Sequence, residues 1–228
     1  MKRLIGLSMA LMISTVLGVS LPREATGQSA GLVSSVLNKM EQNRQSLKSL
    51  RAGISMQKYN SQLRSSEQYN GTISYTPATG RDANLRIEWS KPHEILTVSK
   101  GTYWLYKPRL GVVYTGKPKK GDTGGITDMM NLSRQQLKDR YEPLQDVREE
   151  TLAGGISTIH LKLVPKVGAS FKYAEIWVDA SGMPVQTKIV EKNDDATTVR
   201  LNNMERNVNL SSGIFSQSFD SNVRIIKS

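Results

Sequence analysis

Residues 84–115 read NLRIEWSKPHEILTVSKGTYWLYKPRLGVVYT. Four short runs with alternating apolar residues lie in this stretch, cut by turn signals. Leu85, Ile87 and Trp89 alternate with Arg86 and Glu88 until Lys91-Pro92 breaks the run. Glu94 to Ser99 forms the next strand, Lys100-Gly101 a tight turn, and Tyr103 to Tyr106 an aromatic strand closed by Lys107-Pro108 and Gly111. Period-two alternation bounded by glycine and proline is the signal of an antiparallel meander. Two of the three Trp and three of the eight Tyr fall here. So much large apolar area on a meander implies a face that covers something.

Upstream, Lys2 and Arg3 precede an apolar stretch from Leu4 to Leu21, followed by Pro22 and Ala25-Thr26-Gly27. A charged start, a short apolar stretch and a small-residue site have the form of a secretory signal peptide. Glycines, serines and a threonine dilute the stretch, which sits at the lower length limit for a membrane span. The expected division is therefore a signal peptide over 1–27, cleaved after Gly27 or Ala30, and a single domain over 28–228. A mature chain of this length supports a sizeable core without further division.

The formal charge is +11 and there is no cysteine. A basic exported protein points to anionic headgroups or an acidic partner rather than to nucleic acid. Without disulfides an exported chain relies on its core alone, and a lipid-modified N-terminus, which needs a cysteine acceptor, is excluded.

Ala30 to Leu50 reads as an amphipathic helix, with Leu32, Val33, Val36, Leu37 and Met40 at helical spacing. Ser49–Tyr59 and Gln68–Thr76 alternate as strands. Ile126–Leu132 and Ser133–Arg140 read as two short helical pieces. Strands return from Tyr141, with alternation over Ile156–Val164, Phe171–Val178, Pro184–Glu191 and Thr197–Val208. Nine to eleven strands are expected in all. Between the meander and the short helices lies GKPKKGDTGG, residues 116–125. Gly116 and Gly121 have the spacing of a phosphate-binding loop, but Asp122 stands where its lysine belongs, and an acid there repels phosphate. The stretch reads as a surface loop whose Lys117, Lys119 and Lys120 are available to an acidic partner or a membrane surface.

Catalytic patterns are missing. His93-Glu94 begins a zinc-protease signature, but Thr97 replaces its second histidine. No G-x-S-x-G elbow occurs. His160 alternates with Lys162 on a strand and reads as a surface residue. No catalytic residue, metal site or cofactor is expected.

The order of these elements resembles the periplasmic outer-membrane lipoprotein carrier family (LolA-like). The resemblance rests on Leu85–Pro92 as a strand ending in proline, Ile95–Val98 as an apolar strand, a turn at Gly101, and Tyr103–Pro108 as an aromatic strand running into Tyr-x-Pro. Trp177-Val178-Asp179, Gly182-Met183-Pro184 and the Asn209–Phe219 tail add to it. It covers nearly all of the mature chain. It implies a mainly β fold with α, an unclosed antiparallel β-barrel curved around an apolar cavity under lid helices. It also implies a monomeric, soluble periplasmic carrier that binds no nucleic acid. Such a carrier takes acylated lipoprotein cargo from an inner-membrane ABC lipoprotein-releasing transporter and passes it to an outer-membrane receptor. The alternative on the same half-barrel is a lipid- or lipoprotein-sensing envelope regulator.

Family carriers hold their lid with an arginine eleven residues before the strand-ending proline. Arg81 has that spacing before Pro92, although Asp82 replaces the proline that usually follows the arginine. The expected cavity lining is Ile54, Met56, Ile73, Tyr75, Leu85, Ile87, Trp89, Leu96, Val98, Trp104, Met129 and Met130. A one-residue slip in any strand exchanges its faces. Burying one methylene is worth about 0.8 kcal/mol, so a long acyl chain contributes on the order of 10 kcal/mol. Such a chain crosses water only if something covers it.

Overall fold

The computed structural model describes residues 25–77, 83–118, 125–144, 146–166 and 169–227. A first helix α1 (Ala25–Ser46) leads into strands β1 (Leu50–Asn60), β2 (Ser65–Thr76), β3 (Asn84–Ser90), β4 (His93–Ser99), β5 (Thr102–Lys107) and β6 (Val112–Gly116). Two short helices follow, α2 (Ile126–Met130) and α3 (Arg134–Arg140). The chain then returns through β7 (Val147–Leu152), β8 (Ile156–Leu163), β9 (Phe171–Asp179), β10 (Pro184–Glu191) and β11 (Ala196–Arg206), and ends in β12 (Arg224–Lys227). Among the described residues these make one twelve-stranded sheet, in the order β12-β6-β5-β4-β3-β2-β1-β11-β10-β9-β8-β7. The sheet does not close, so the fold is the expected mainly β, unclosed curved sheet. All pairings are antiparallel except β12 with β6.

Two strands account for the count exceeding the expected nine to eleven. β7 reads VREETL and is half charged, so it shows no apolar alternation. β12 is four residues long, too short for periodicity to reveal. The first helix ends at Ser46 rather than Leu50. Asn207 at the end of β11 stops it, accepting at 2.7 Å from the Lys48 backbone N–H and donating its own backbone N–H to Ser49 O at 2.8 Å.

Register decides which side chains share a face. Lys100 and Gly101 both have positive φ, 50° and 69°, as a two-residue turn matching the strand twist requires. That turn pairs Ser99 with Thr102, Val98 with Tyr103 and Leu96 with Leu105. One cross-strand row of the inner face therefore runs Ala52, Ile73, Ile87, Leu96, Leu105, Tyr114 from β1 to β6. Another runs Met56, Val199, Thr187, Ile176, Leu161, Val147 from β1 to β7.

The inner face carries two clusters. In one, Val36, Leu37 and Met40 of α1 pack with Met129, Leu132 and Leu137 against Leu161, Leu163, Ala174, Ile176 and Val178. Gly182 lets α1 sit this close: its φ is +84°, and a Cβ there would lie 2.1 Å from Lys39 O. The other gathers Leu47, Leu50, Ile54, Ile73, Tyr75, Leu85 and Ile87 with Met130. Tyr75 is fully buried and donates its hydroxyl to Asn131 Oδ1 at 2.7 Å, fastening the end of α2 to the sheet. Burial pushes its phenol up to about 12.

On the outer face, the segment after β11 crosses β3–β5. Arg86 Nη1 donates to Ile214 O, Gln217 Nε2 donates to the buried Thr97 hydroxyl, and the Phe219 ring meets Tyr106 edge-on at 5.4 Å.

Candidate functional site

At the end of the sheet where β1 finishes and β2 begins, the inner face opens into a cavity of about 780 Å³. Its apolar floor is Met56, Ile87, Trp89, Leu96, Tyr103 and Leu105, with Tyr69 beside them. Its rim is polar: Lys58, Glu67, Glu94, Lys107, Glu191 and Asp195. Leu63, at the tip of the β1–β2 hairpin, leans over the opening.

The rim is organised by short pairings. Tyr69 stands edge-on to Trp89 at 6.0 Å and donates its hydroxyl to Glu67 at 2.7 Å. That bond to a carboxylate raises the phenol to about 12. Lys58 Nζ lies 5.4 Å from the centre of the Tyr69 ring, a cation over its π-face. Lys107 pairs with Glu94 at 3.0 Å. Asp195 accepts from the Ser61 backbone N–H at 2.7 Å and from its hydroxyl at 3.0 Å. Those bonds hold its carboxyl below the usual range and lock the β1–β2 and β10–β11 hairpin tips together.

Of the expected lining, Met56, Ile87, Trp89 and Leu96 stand in the cavity. Ile54, Ile73, Tyr75, Leu85 and Met130 belong to the packed cluster of the same inner face, and the partly buried Val98 packs against it. Two residues lie elsewhere. Met129 is part of the helix-covered cluster. Trp104 pairs with Thr97 and Thr115 and points to the outer face, because the Lys100-Gly101 turn puts Tyr103 and Leu105 inward instead. The helices do not roof this cavity: every lining side chain comes from a strand or a hairpin turn. Tyr69, Tyr103, Leu105 and the charged rim escaped the sequence reading. The hairpin register already implied the second and third of these.

Arg81, Lys119 and Lys120 lie outside the described residues, as does the signal peptide through residue 24. Lys117 is exposed just beyond β6, at the opposite end of the sheet from the cavity. Among the described residues no group of three or more His, Cys, Asp or Glu is placed to hold a metal, and no helix is long and apolar enough to cross a membrane.

His160 corrects its reading as a surface residue. It lies on the outer face of β8, yet it is 0% exposed and stacked on Trp177 at 4.6 Å. Its Nε2 is 3.4 Å from Glu175 and its Nδ1 3.8 Å from Glu150, and neither nitrogen makes a hydrogen bond among the described residues. Burial, helped by the Arg148 cation, pushes its pKa down. The alternation that suggested exposure reports the face, not what covers it.

Residues 45–218 match the family described as outer membrane lipoprotein carrier protein LolA. No curated protein matches the sequence. Among solved structures, an uncharacterized conserved protein from Thermus thermophilus is similar with a TM-score of 0.54 at 12% identity, covering 86% of this chain and 99% of that one. MucB is similar with a TM-score of 0.52 at 10% identity, covering 89% and 66% respectively. A LolA superfamily protein from Nitrosomonas europaea gives a TM-score of 0.41 at 12% identity, covering 81% and 97%. At these identities the likeness to the first two is one of fold.

Proposed function

This chain belongs to the family of the outer membrane lipoprotein carrier protein LolA, and on that premise we propose that it is a periplasmic carrier that shields the acyl chains of lipoproteins between the inner and outer membranes. The observation that carries the reading is an apolar floor left open at one end of a sheet that is otherwise packed. A methylene fills about the volume of one water molecule, about 30 Å³, so 780 Å³ holds on the order of 25 of them. That is room for at least one long acyl chain. At about 0.8 kcal/mol per methylene, covering one chain offsets most of the cost of taking it out of a membrane. Further chains require the unclosed sheet to widen. The floor provides burial and the rim provides charge, and the role needs no bond-making group.

The remaining parts of the reading rest on the sequence pattern and on the resemblance. Residues 1–27 are the export signal. A lipoprotein-releasing ABC transporter loads the carrier and an outer-membrane receptor unloads it. Lys117, Lys119 and Lys120 contact an acidic partner. Arg81 latches the empty state, so Arg81→Leu loads normally and releases poorly in a two-stage transfer assay. Equal release by Arg81→Leu and wild type removes the latch.

The test of the carrier reading is uptake of a fluorescent acylated peptide. Wild type takes it up with quenching of tryptophan emission, and Leu105→Arg, which puts a charge on the cavity floor, does not. Equal uptake by both means that this cavity is not the acyl site.

A further inference from the structure

The five large apolar side chains exposed among the described residues are Tyr59, Leu63, Leu110, Val164 and Ile225, with relative exposures of 39%, 76%, 66%, 41% and 54%. They are far apart in sequence, but strand direction brings them to one end of the sheet. β1, β3, β5, β8 and β10 end where the cavity opens, and β2, β4, β6, β7, β9, β11 and β12 begin there. Leu63 is at the β1–β2 tip and Leu110 follows β5. Val164 follows β8, and Ile225 is the second residue of β12, beside Val113. No large apolar side chain is exposed at the opposite end among the described residues.

Cations accompany these tips. Arg64 adjoins Leu63, Arg109 adjoins Leu110 and Arg224 adjoins Ile225, while Lys91 and Lys192 sit on the two neighbouring turns. All five are exposed, and none forms an ion pair among the described residues. Two acids at this end are paired with cations, Glu94 with Lys107 and Asp194 with Lys172, while Glu67 and Asp195 accept from the Tyr69 and Ser61 hydroxyls and keep their charge.

We propose that this end of the sheet docks directly on a lipid bilayer carrying anionic headgroups, with Leu63 and Leu110 entering the headgroup layer and Arg64 and Arg109 meeting lipid phosphates. Single apolar side chains on separate turns, each beside a cation, fit the boundary between headgroups and acyl chains. A protein partner calls for one contiguous apolar patch, which these tips do not form. Docking in this orientation places the cavity mouth against the membrane, so a chain passes between bilayer and cavity without crossing water. That purpose rests on the carrier reading; the surface itself does not.

The test is flotation of the full-length mature chain with vesicles of phosphatidylcholine alone and of phosphatidylcholine mixed with phosphatidylglycerol. Wild type binds the mixed vesicles, and binding weakens as salt rises. The double variants Leu63→Glu/Leu110→Glu and Arg64→Glu/Arg109→Glu each bind about tenfold more weakly or worse. Lys48→Glu, a charge reversal at the opposite end, binds as wild type does. Exposed turn positions tolerate these changes, and circular dichroism checks the fold. Binding that survives both double variants overturns the proposal, as does no binding to vesicles of either composition. If the chain instead self-associates and Leu63→Glu/Leu110→Glu abolishes this, the tips belong to a contact with a second copy. A wild type that binds vesicles but takes up no acylated peptide keeps the docking surface and removes the carrier reading.

Discussion

Two halves of one sheet face show how the same alternation produces a core or a cavity. Across β8 and β9, Leu161, Leu163, Ala174, Ile176 and Val178 are all fully buried because α1, α2 and α3 lie on them. Across β1–β5 the inner face is as apolar, but only its closed end is packed. Towards the mouth Met56, Tyr69, Tyr103 and Leu105 are only partly buried. The strands of the two halves read alike; the helices choose between them. A carrier needs this asymmetry, because the dry half must keep the sheet folded while the open half stands empty.

The largest effect expected is on the dry half. Ile176→Ala removes a side chain with no exposure and leaves a cavity under α1, at a cost of about 2–5 kcal/mol. Met56→Ala in the open half costs roughly 1 kcal/mol, since its side chain is only partly out of water. Denaturant unfolding measures both. The acylated-peptide assay should reverse the order, with Met56→Ala losing more affinity than Ile176→Ala. Equal stability losses at the two positions would mean that the halves are packed alike.

Next in size is the seat of the first helix. Gly182→Ala forces a non-glycine residue to φ +84° and drives a Cβ into the Lys39 backbone. Strain of this kind costs about 1–3 kcal/mol. The midpoint of denaturant unfolding should fall while acyl uptake by the folded protein is kept. An unchanged midpoint would show that α1 is not held against this turn.

Much of this contrast was legible in the sequence, and the parts that were not have identifiable causes. The meander, its turns and the shared face of Leu85, Ile87 and Trp89, and of Leu96 and Val98, followed from alternation between glycine and proline signals, while which face turns inward did not. Trp104 was misplaced because its size outweighed the register that Lys100-Gly101 imposes; counting outward from that turn puts Tyr103 and Leu105 inside. Met129 and Met130 adjoin in sequence yet enter different clusters; neighbours on a helix point about 100° apart, but a five-residue helix is too short for its pattern to show which side meets which cluster. The position of the helices over β8 and β9 rather than over the cavity is a tertiary choice. It depends on contacts such as Gly182 with Lys39 that no local pattern records.

The dry half should also be the acid-sensitive one. His160 is buried on its outer face, and burial with the Arg148 cation lowers its pKa from 6.5, against the opposing pull of Glu175, Glu150 and Asp146. Between the folded value and 6.5 the unfolded chain binds more protons than the folded one, so stability rises with pH there. The contribution is complete above 6.5 and is lost as pH falls below it, by at most about 1.4 kcal/mol per pH unit for one group. His160→Phe keeps the stack on Trp177 without a titrating group, so its stability should change less than that of wild type between neutral and mildly acidic pH. Identical pH profiles would remove His160 as the cause.

The smallest stability effect belongs to the open half, at the Lys107–Glu94 pair. Their side chains retain 30% and 19% of their exposure, and the pair spans 3.0 Å at the cavity rim. Partly solvated pairs contribute about 0–1 kcal/mol, so Glu94→Gln/Lys107→Gln should unfold within that margin of wild type. The single change Lys107→Gln is expected to do more to binding than to folding. It leaves the Glu94 carboxylate beside Leu96, Trp89 and the other apolar floor residues without its cation, and an acyl chain entering there must strip water from an unpaired charge. Uptake should therefore weaken in Lys107→Gln and recover in the double variant, where no charge remains to desolvate. A double variant that binds as poorly as Lys107→Gln would show that the lysine contacts the cargo itself. The rim would then be part of the recognition surface rather than a neutral edge to the apolar floor.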